Sequence, residues 1–146
     1  PQNASAPGTY EMQIVVKPKS GDTTEILSDI QTMTITDLGA RSATATYKTR
    51  TQTKSGVPTL VLTGTGSTTG YAPKTRVVMY AKAPGASSFS IAGVSVTNAD
   101  GTYDFVGFGT NAPNVTVDGQ AWQVYVTVGN DFGWETTTPT TSYIPS

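Results

Sequence analysis

Apolar and polar residues alternate with a period of two along most of this chain, punctuated at irregular intervals by glycine or proline. In residues 9–17 Met12, Ile14 and Val16 fall on one side, and Glu11, Gln13 and Lys17 on the other. That spacing predicts a strand with one apolar face. Pro18 to Asp22 predicts a turn. Residues 24–36 carry two patterns at once. Ile26, Leu27 and Ile30 are spaced as on a helix, whereas Met33 and Ile35 alternate with Thr32, Thr34 and Thr36. The expectation is a short turn or helical start that runs into a strand at 31–36. Asp37-Leu38-Gly39 predicts a turn, and residues 41–53 a strand with Ala43, Ala45 and Tyr47 on one face.

The polar stretch Lys54-Ser55-Gly56-Val57-Pro58 interrupts this series and is the expected boundary between an N-terminal β section and a second domain. Beyond it, Leu60 and Leu62 precede a glycine-rich turn at Gly64–Ser67. Residues 75–82 and 88–97 predict strands, with a bulge or bend at Gly93. Asn98-Ala99-Asp100-Gly101 predicts a hairpin turn whose glycine supplies a positive φ. Tyr103 and Phe105 open a further strand, closed by Gly107 and Gly109. Residues 121–128 have the most regular alternation: Trp122, Val124, Val126 and Val128 against Gln123, Tyr125 and Thr127. Asn130–Gly133 turns into a last strand from Trp134. Nine or ten short strands without sustained helical periodicity predict an all-β fold, an antiparallel sandwich or barrel. The expected organisation is a flexible arm at residues 1–8, an N-terminal β section at 9–56, and a sandwich at 57–146 that ends in a Thr/Pro-rich tail.

Composition narrows the chemistry. The chain of 146 residues has no cysteine and no histidine, which removes disulfides, thiolate metal sites and the commonest general base and metal ligand. Charged residues are 13% of the chain and the net charge is -1, without the basic excess that a nucleic-acid partner requires. No apolar run approaches a membrane span. No catalytic residue, cofactor or metal is predicted. Pro1 follows no recognisable signal peptide, and the expectation is cytosolic synthesis with removal of an initiator Met.

Residues from about Pro58 to Thr138 resemble a bacterial immunoglobulin-like repeat found in surface proteins and phage structural proteins. The resemblance lies in PTLVLTGTGS, in RVVMYAKAPGASSFSIAGVSVTNADGTYDFVGFG and in AWQVYVTVGNDFGW, taken in that order. It covers a little over half of the chain, and Asn111–Asp118 is longer than the family pattern. It implies an immunoglobulin-like β-sandwich that serves as spacer, adhesin or decoration, with no catalytic residues.

Candidate sites follow from the same reading. Met12, Ile14 and Val16, preceded by an arm, form a candidate assembly face, because an edge strand can template pairing with a neighbour. The C-terminal tail is a second candidate arm. Trp134 and Tyr125 are candidate exposed aromatics for a sugar ring, Trp134 the better placed because it follows a turn. Asn98, Asp100 and Asp104 gather oxygen donors in the manner of a calcium loop, but the spacing fits a tight turn better. Asp118, Asp131 and Glu135 read as solvated loop acids. Lys17, Lys19, Lys48, Arg50 and Lys54 are interspersed with acids and read as a solvated strand face. The expected role is a non-enzymatic virion protein, a phage capsid decoration or tail-surface subunit. Its partners would be copies of itself, other virion proteins or a host-surface glycan. A cell-surface filament or adhesin subunit and a carbohydrate-binding module are the alternatives.

Overall fold

The computed structural model describes residues 8–18, 24–36, 39–105, 112–129 and 135–146. The chain is all-β, with every paired strand antiparallel. It divides into two compact units, Pro1–Asp37 and Leu38–Ser146.

In the first unit β1 (Gly8–Met12) pairs with β4 (Gln31–Ile35), and β2 (Val15–Val16) pairs with β3 (Ile26–Leu27). These are the two halves of one long hairpin. Met12 faces Gln31 and Val15 faces Leu27, so three steps along one strand meet four along the other. The register slips by one residue between the halves, as at a β-bulge. Ser28 holds the slip: its amide donates to the Ile14 carbonyl at 2.9 Å, and its hydroxyl accepts from the Ile14 amide at 2.9 Å. The helical start expected near Ile26 is therefore a strand. The cross-strand partners Val16 and Val15 override the local helical spacing of Ile26, Leu27 and Ile30, as tertiary pairing commonly does for short apolar runs.

Among the described residues the second unit holds eight strands: β5 (Ser42–Lys54), β6 (Val57–Thr69), β7 (Arg76–Lys82), β8 (Ser90–Val96), β9 (Thr102–Asp104), β10 (Trp122–Gly129), β11 (Glu135–Thr137) and β12 (Thr141–Tyr143). One sheet has the order β5-β6-β9. The other has β11-β10-β7-β8, with β12 also pairing β10. Alternation carries one face of each strand inward. Val77 and Met79 on β7 and Val124, Val126 and Val128 on β10 are fully buried, and meet Tyr47, Leu62 and Tyr103 of the other sheet in one cluster. Burial of each such side chain contributes roughly 1.5–3 kcal/mol.

Three expectations are corrected here. Lys54–Pro58 is no domain boundary. Ser55 and Gly56 have φ of 50° and 81° and close a hairpin whose strands stay in register from Lys54↔Val57 to Ser42↔Thr69. Positive φ at both central residues is what a two-residue turn needs to match strand twist. The division between units falls instead between Asp37 and Leu38. Gly64–Ser67 is no turn either: β6 runs through it, with Gly66 where Thr44 and Tyr103 leave no room for a Cβ and Gly64 where Thr46 and Tyr47 leave little. Finally, the Thr/Pro-rich tail is not a free arm. β12 pairs Trp122↔Tyr143 to Val124↔Thr141, Pro145 is buried, and the Thr49 hydroxyl donates to the Ser146 carbonyl.

Other features follow the sequence. β7 and β8 slip register between Met79 and Tyr80, leaving Ala92 unpaired beside Gly93, where the bulge was expected. Gly93 admits the Phe105 ring, which would lie 2.9 Å from a Cβ there. Asn98–Gly101 is a tight turn, closed by the Asn98 amide on the Thr102 carbonyl at 2.8 Å. It joins strands of different sheets, however: β8 pairs β7, and β9 pairs β6. The long Asn111–Asp118 segment is used in part as edging. The Leu62 amide donates to the Pro113 carbonyl at 3.1 Å and the Val115 amide to the Leu60 carbonyl at 3.0 Å, extending the sheet beyond β9.

Candidate functional site

The hairpin of the first unit buries Ile35 but exposes many of its other apolar residues. In its base, Tyr10 opposes Met33 and Met12 opposes Gln31 on one face, while Thr9 opposes Thr34 and Glu11 opposes Thr32 on the other. Period-two alternation thus gives the base one apolar and one polar side. The predicted assembly residues are placed on solvent: Met12 is 49%, Ile14 70% and Val16 53% exposed. Ile14 lies between β1 and β2. What sequence reasoning missed is that the returning strand doubles this surface. Ile26, Leu27 and Ile30 are 55–68% exposed. The signal was present as an apolar cluster, but helical spacing hid its pairing. A two-stranded hairpin is marginal in water without a covered face, so such exposure is costly unless a partner removes it.

The second surface is an aromatic groove in the second unit. Tyr125 on β10 and Tyr80 on β7 are cross-strand partners. Their rings stack at 5.0 Å with 17° between planes, the edge of Phe89 meets Tyr125 at 4.9 Å, and Lys82 sits 5.3 Å from the Phe89 centroid. Glu135, Thr127, Thr137 and Thr140 complete a shallow groove of about 440 Å³. Tyr125 is half-buried, with Tyr80 on one face and Phe89 against it, so it supports the groove rather than offering a free platform. Tyr80 is half-buried as well, and both rings line the groove. Trp134 lies outside the described residues, as do residues 1–7, residues 19–23 and Asp131.

Asp100 and Asp118 are absorbed into local structure. The Asp100 carboxylate accepts from the Thr102 hydroxyl at 2.6 Å and its amide at 3.0 Å, which lowers its pKa. Asn98 turns its amide nitrogen to Thr102, at 3.0 Å. The Asp118 carboxylate accepts from the Gln120 amide at 3.0 Å and the Thr116 hydroxyl at 2.9 Å, and its pKa is lowered likewise. An acid held ionised in this way is a poor proton donor at neutral pH. Among the described residues no group of three or more carboxylates gathers as a metal ligand set, and no helix is long and apolar enough to cross a membrane. Of the basic residues, Lys54 is tied to the edging segment, donating to the Ala112 carbonyl and the Asn114 side-chain oxygen, both at 2.7 Å.

No family model matches the chain, and no curated protein and no solved structure is similar to it.

Proposed function

We propose that this chain is a non-enzymatic structural protein of a virion, a capsid decoration or tail-surface subunit that joins its assembly through the N-terminal hairpin and carries an immunoglobulin-like sandwich. The observation that carries this reading is the hairpin itself, whose aliphatic residues around Ile14 and Ile26 face solvent. A free monomer gains nothing from that surface, and an assembly subunit needs it. The low charge and Thr-rich strand faces agree with a particle-surface protein. The C-terminal tail, paired within its own sheet, is removed as a second arm, so assembly rests on the hairpin alone in this reading.

Immunogold electron microscopy tests it. An antibody against the chain is expected to label the surface of particles released from the producing cells. Label on cell-attached filaments transfers the same hairpin argument to a filament subunit. Label confined to soluble protein overturns both. The groove at Tyr80 supports a second reading, carbohydrate binding, through an aromatic face beside the Glu135 carboxylate and three threonine hydroxyls. Glycan-array binding that is lost in Tyr80→Ala is expected in that case, and a blank array removes it.

A further inference from the structure

The outer face of the sheet around β10 is ordered in rows. Val124, Val126 and Val128 point inward, which leaves Tyr125, Thr127 and Gly129 on the outer face. Cross-strand pairing sets Tyr80 beside Tyr125, Thr137 beside Thr127, and Arg76 and Glu135 on either side of Gly129. An aromatic row, a hydroxyl row and a charged row thus follow one another along β10. The groove at Tyr80 takes in the first two rows and Glu135 of the third.

Resting on the carbohydrate reading above, we infer that this face is a track for a neutral oligosaccharide of two or three units, laid along β10 with its far unit between Arg76 and Glu135. Length sets the number of units: Tyr125 to Gly129 spans ~13 Å of strand, roughly two to three pyranose rings end to end. The backbone favours a sugar over an extended peptide. β7 lies between β8 and β10, and β10 between β7 and the pair β11 and β12, so neither strand has a free edge for a peptide to join. Recognition falls to side chains, and here they are free. Among the described residues the side chains of Arg76, Thr127, Glu135, Thr137 and Thr140 make no hydrogen bond or ion pair, whereas the hydroxyls of Thr68, Thr75, Thr97, Thr102 and Thr138 are all engaged. Unengaged polar groups beside apolar rings match a sugar, which has an apolar C–H face and a rim of hydroxyls. Charge selects a neutral one. Arg76 and Glu135 are opposite in sign, about 10 Å apart across two strand spacings, and Gly129 puts no side chain between them. A hydroxyl accepts from the guanidinium and donates to the carboxylate, whereas a charged group is repelled by one of the two. Lys82 stands beyond the aromatic row, over Phe89.

NMR titration of the isotope-labelled full chain tests the track. The probes are neutral homo-oligomers of β1,4-linked glucose and of β1,4-linked N-acetylglucosamine, from one to four units. In at least one series affinity is expected to rise about tenfold or more from one unit to three and to level off at four. The trisaccharide is expected to shift the amides of Thr127 and Thr137. Arg76 and Glu135 are exposed, so their replacement spares the core. Glu135→Gln and Arg76→Ala are each expected to weaken the trisaccharide about fivefold or more and to leave the monosaccharide within about twofold, since both residues meet only the far unit. Affinity that does not grow with length overturns the track, as do variants that weaken both sugars alike or an absence of binding in both series. The carbohydrate reading fails separately. A blank glycan array removes it, whereas an array that binds single sugars as well as chains keeps it and removes only the track.

Discussion

At the scale of single residues, the most constrained point is the crossing of β5, β6 and β9 at Gly66. A Cβ there would lie 1.9 Å from the Thr44 carbonyl oxygen and 2.3 Å from the Tyr103 hydroxyl. Tyr103 cannot swing aside freely, because its hydroxyl donates to that same carbonyl at 2.5 Å and its ring packs edge-on against Phe105. Gly66→Ala is thus expected to cost ~3 kcal/mol or more in urea unfolding, as overpacking that forces a backbone shift does. The same tyrosine makes the fold sensitive to alkali. Burial, and then the neighbouring Tyr47 phenol, push its pKa far above the ordinary 10.0, and burial raises Tyr47 as well. A folded-state pKa above the unfolded value leaves stability intact below pH 10.0 and erodes it as the pH rises further, since the unfolded chain then releases the proton first. Urea midpoints are expected to fall from about pH 10 upward, and Tyr103→Phe is expected to flatten that fall while costing about 1 kcal/mol at neutral pH for the lost hydrogen bond.

At the scale of elements, period-two alternation made the inner strands legible in the sequence. Val124, Val126 and Val128 are buried as their spacing predicts, and Ala92 bulges beside Gly93. Glycine was the less readable signal. It ends a strand at a turn, yet here Gly64 and Gly66 continue one, because what they supply is close approach to a neighbouring strand and not positive φ. No single-chain pattern distinguishes these uses, since the neighbour that crowds Gly66 is more than thirty residues away at Tyr103. The Ser55–Gly56 turn shows the opposite case, a local requirement hidden in a polar run. Ser55 sits at φ 50°, where asparagine is better tolerated. Ser55→Asn is expected to raise stability by ~0.5 kcal/mol in urea unfolding. The hairpin of β1 to β4 carries the predicted assembly residues, and half of its surface was illegible for a third reason: the register slip at Ser28 is set by cross-strand pairing, which helical spacing in one strand cannot reveal. The groove is a similar case. Tyr125 was legible as an outward residue, but Tyr80, Phe89 and Glu135 join it only through the sheet order.

For the whole molecule, the two units differ in what holds them together. Every member of the buried cluster, from Tyr47 to Val128, belongs to Leu38–Ser146, and the two sheets of that unit close on each other through it. The first unit has a paired backbone and an apolar surface left on solvent. Stability is therefore expected to be uneven along the chain. In native-state hydrogen exchange, amides of β2 and β3 are expected to exchange orders of magnitude faster than those of Val77 and Val126. Removing residues 1–37 is the complementary measurement. The remaining 38–146 is expected to unfold cooperatively with a midpoint within a few degrees of the full chain, since the buried cluster draws no residue from the hairpin. The same truncation is expected to abolish particle labelling, because it takes away the hairpin's aliphatic surface. A truncated chain that melts far earlier would mean that the hairpin is part of the folding unit, and that its aliphatic residues serve the fold and not a neighbour.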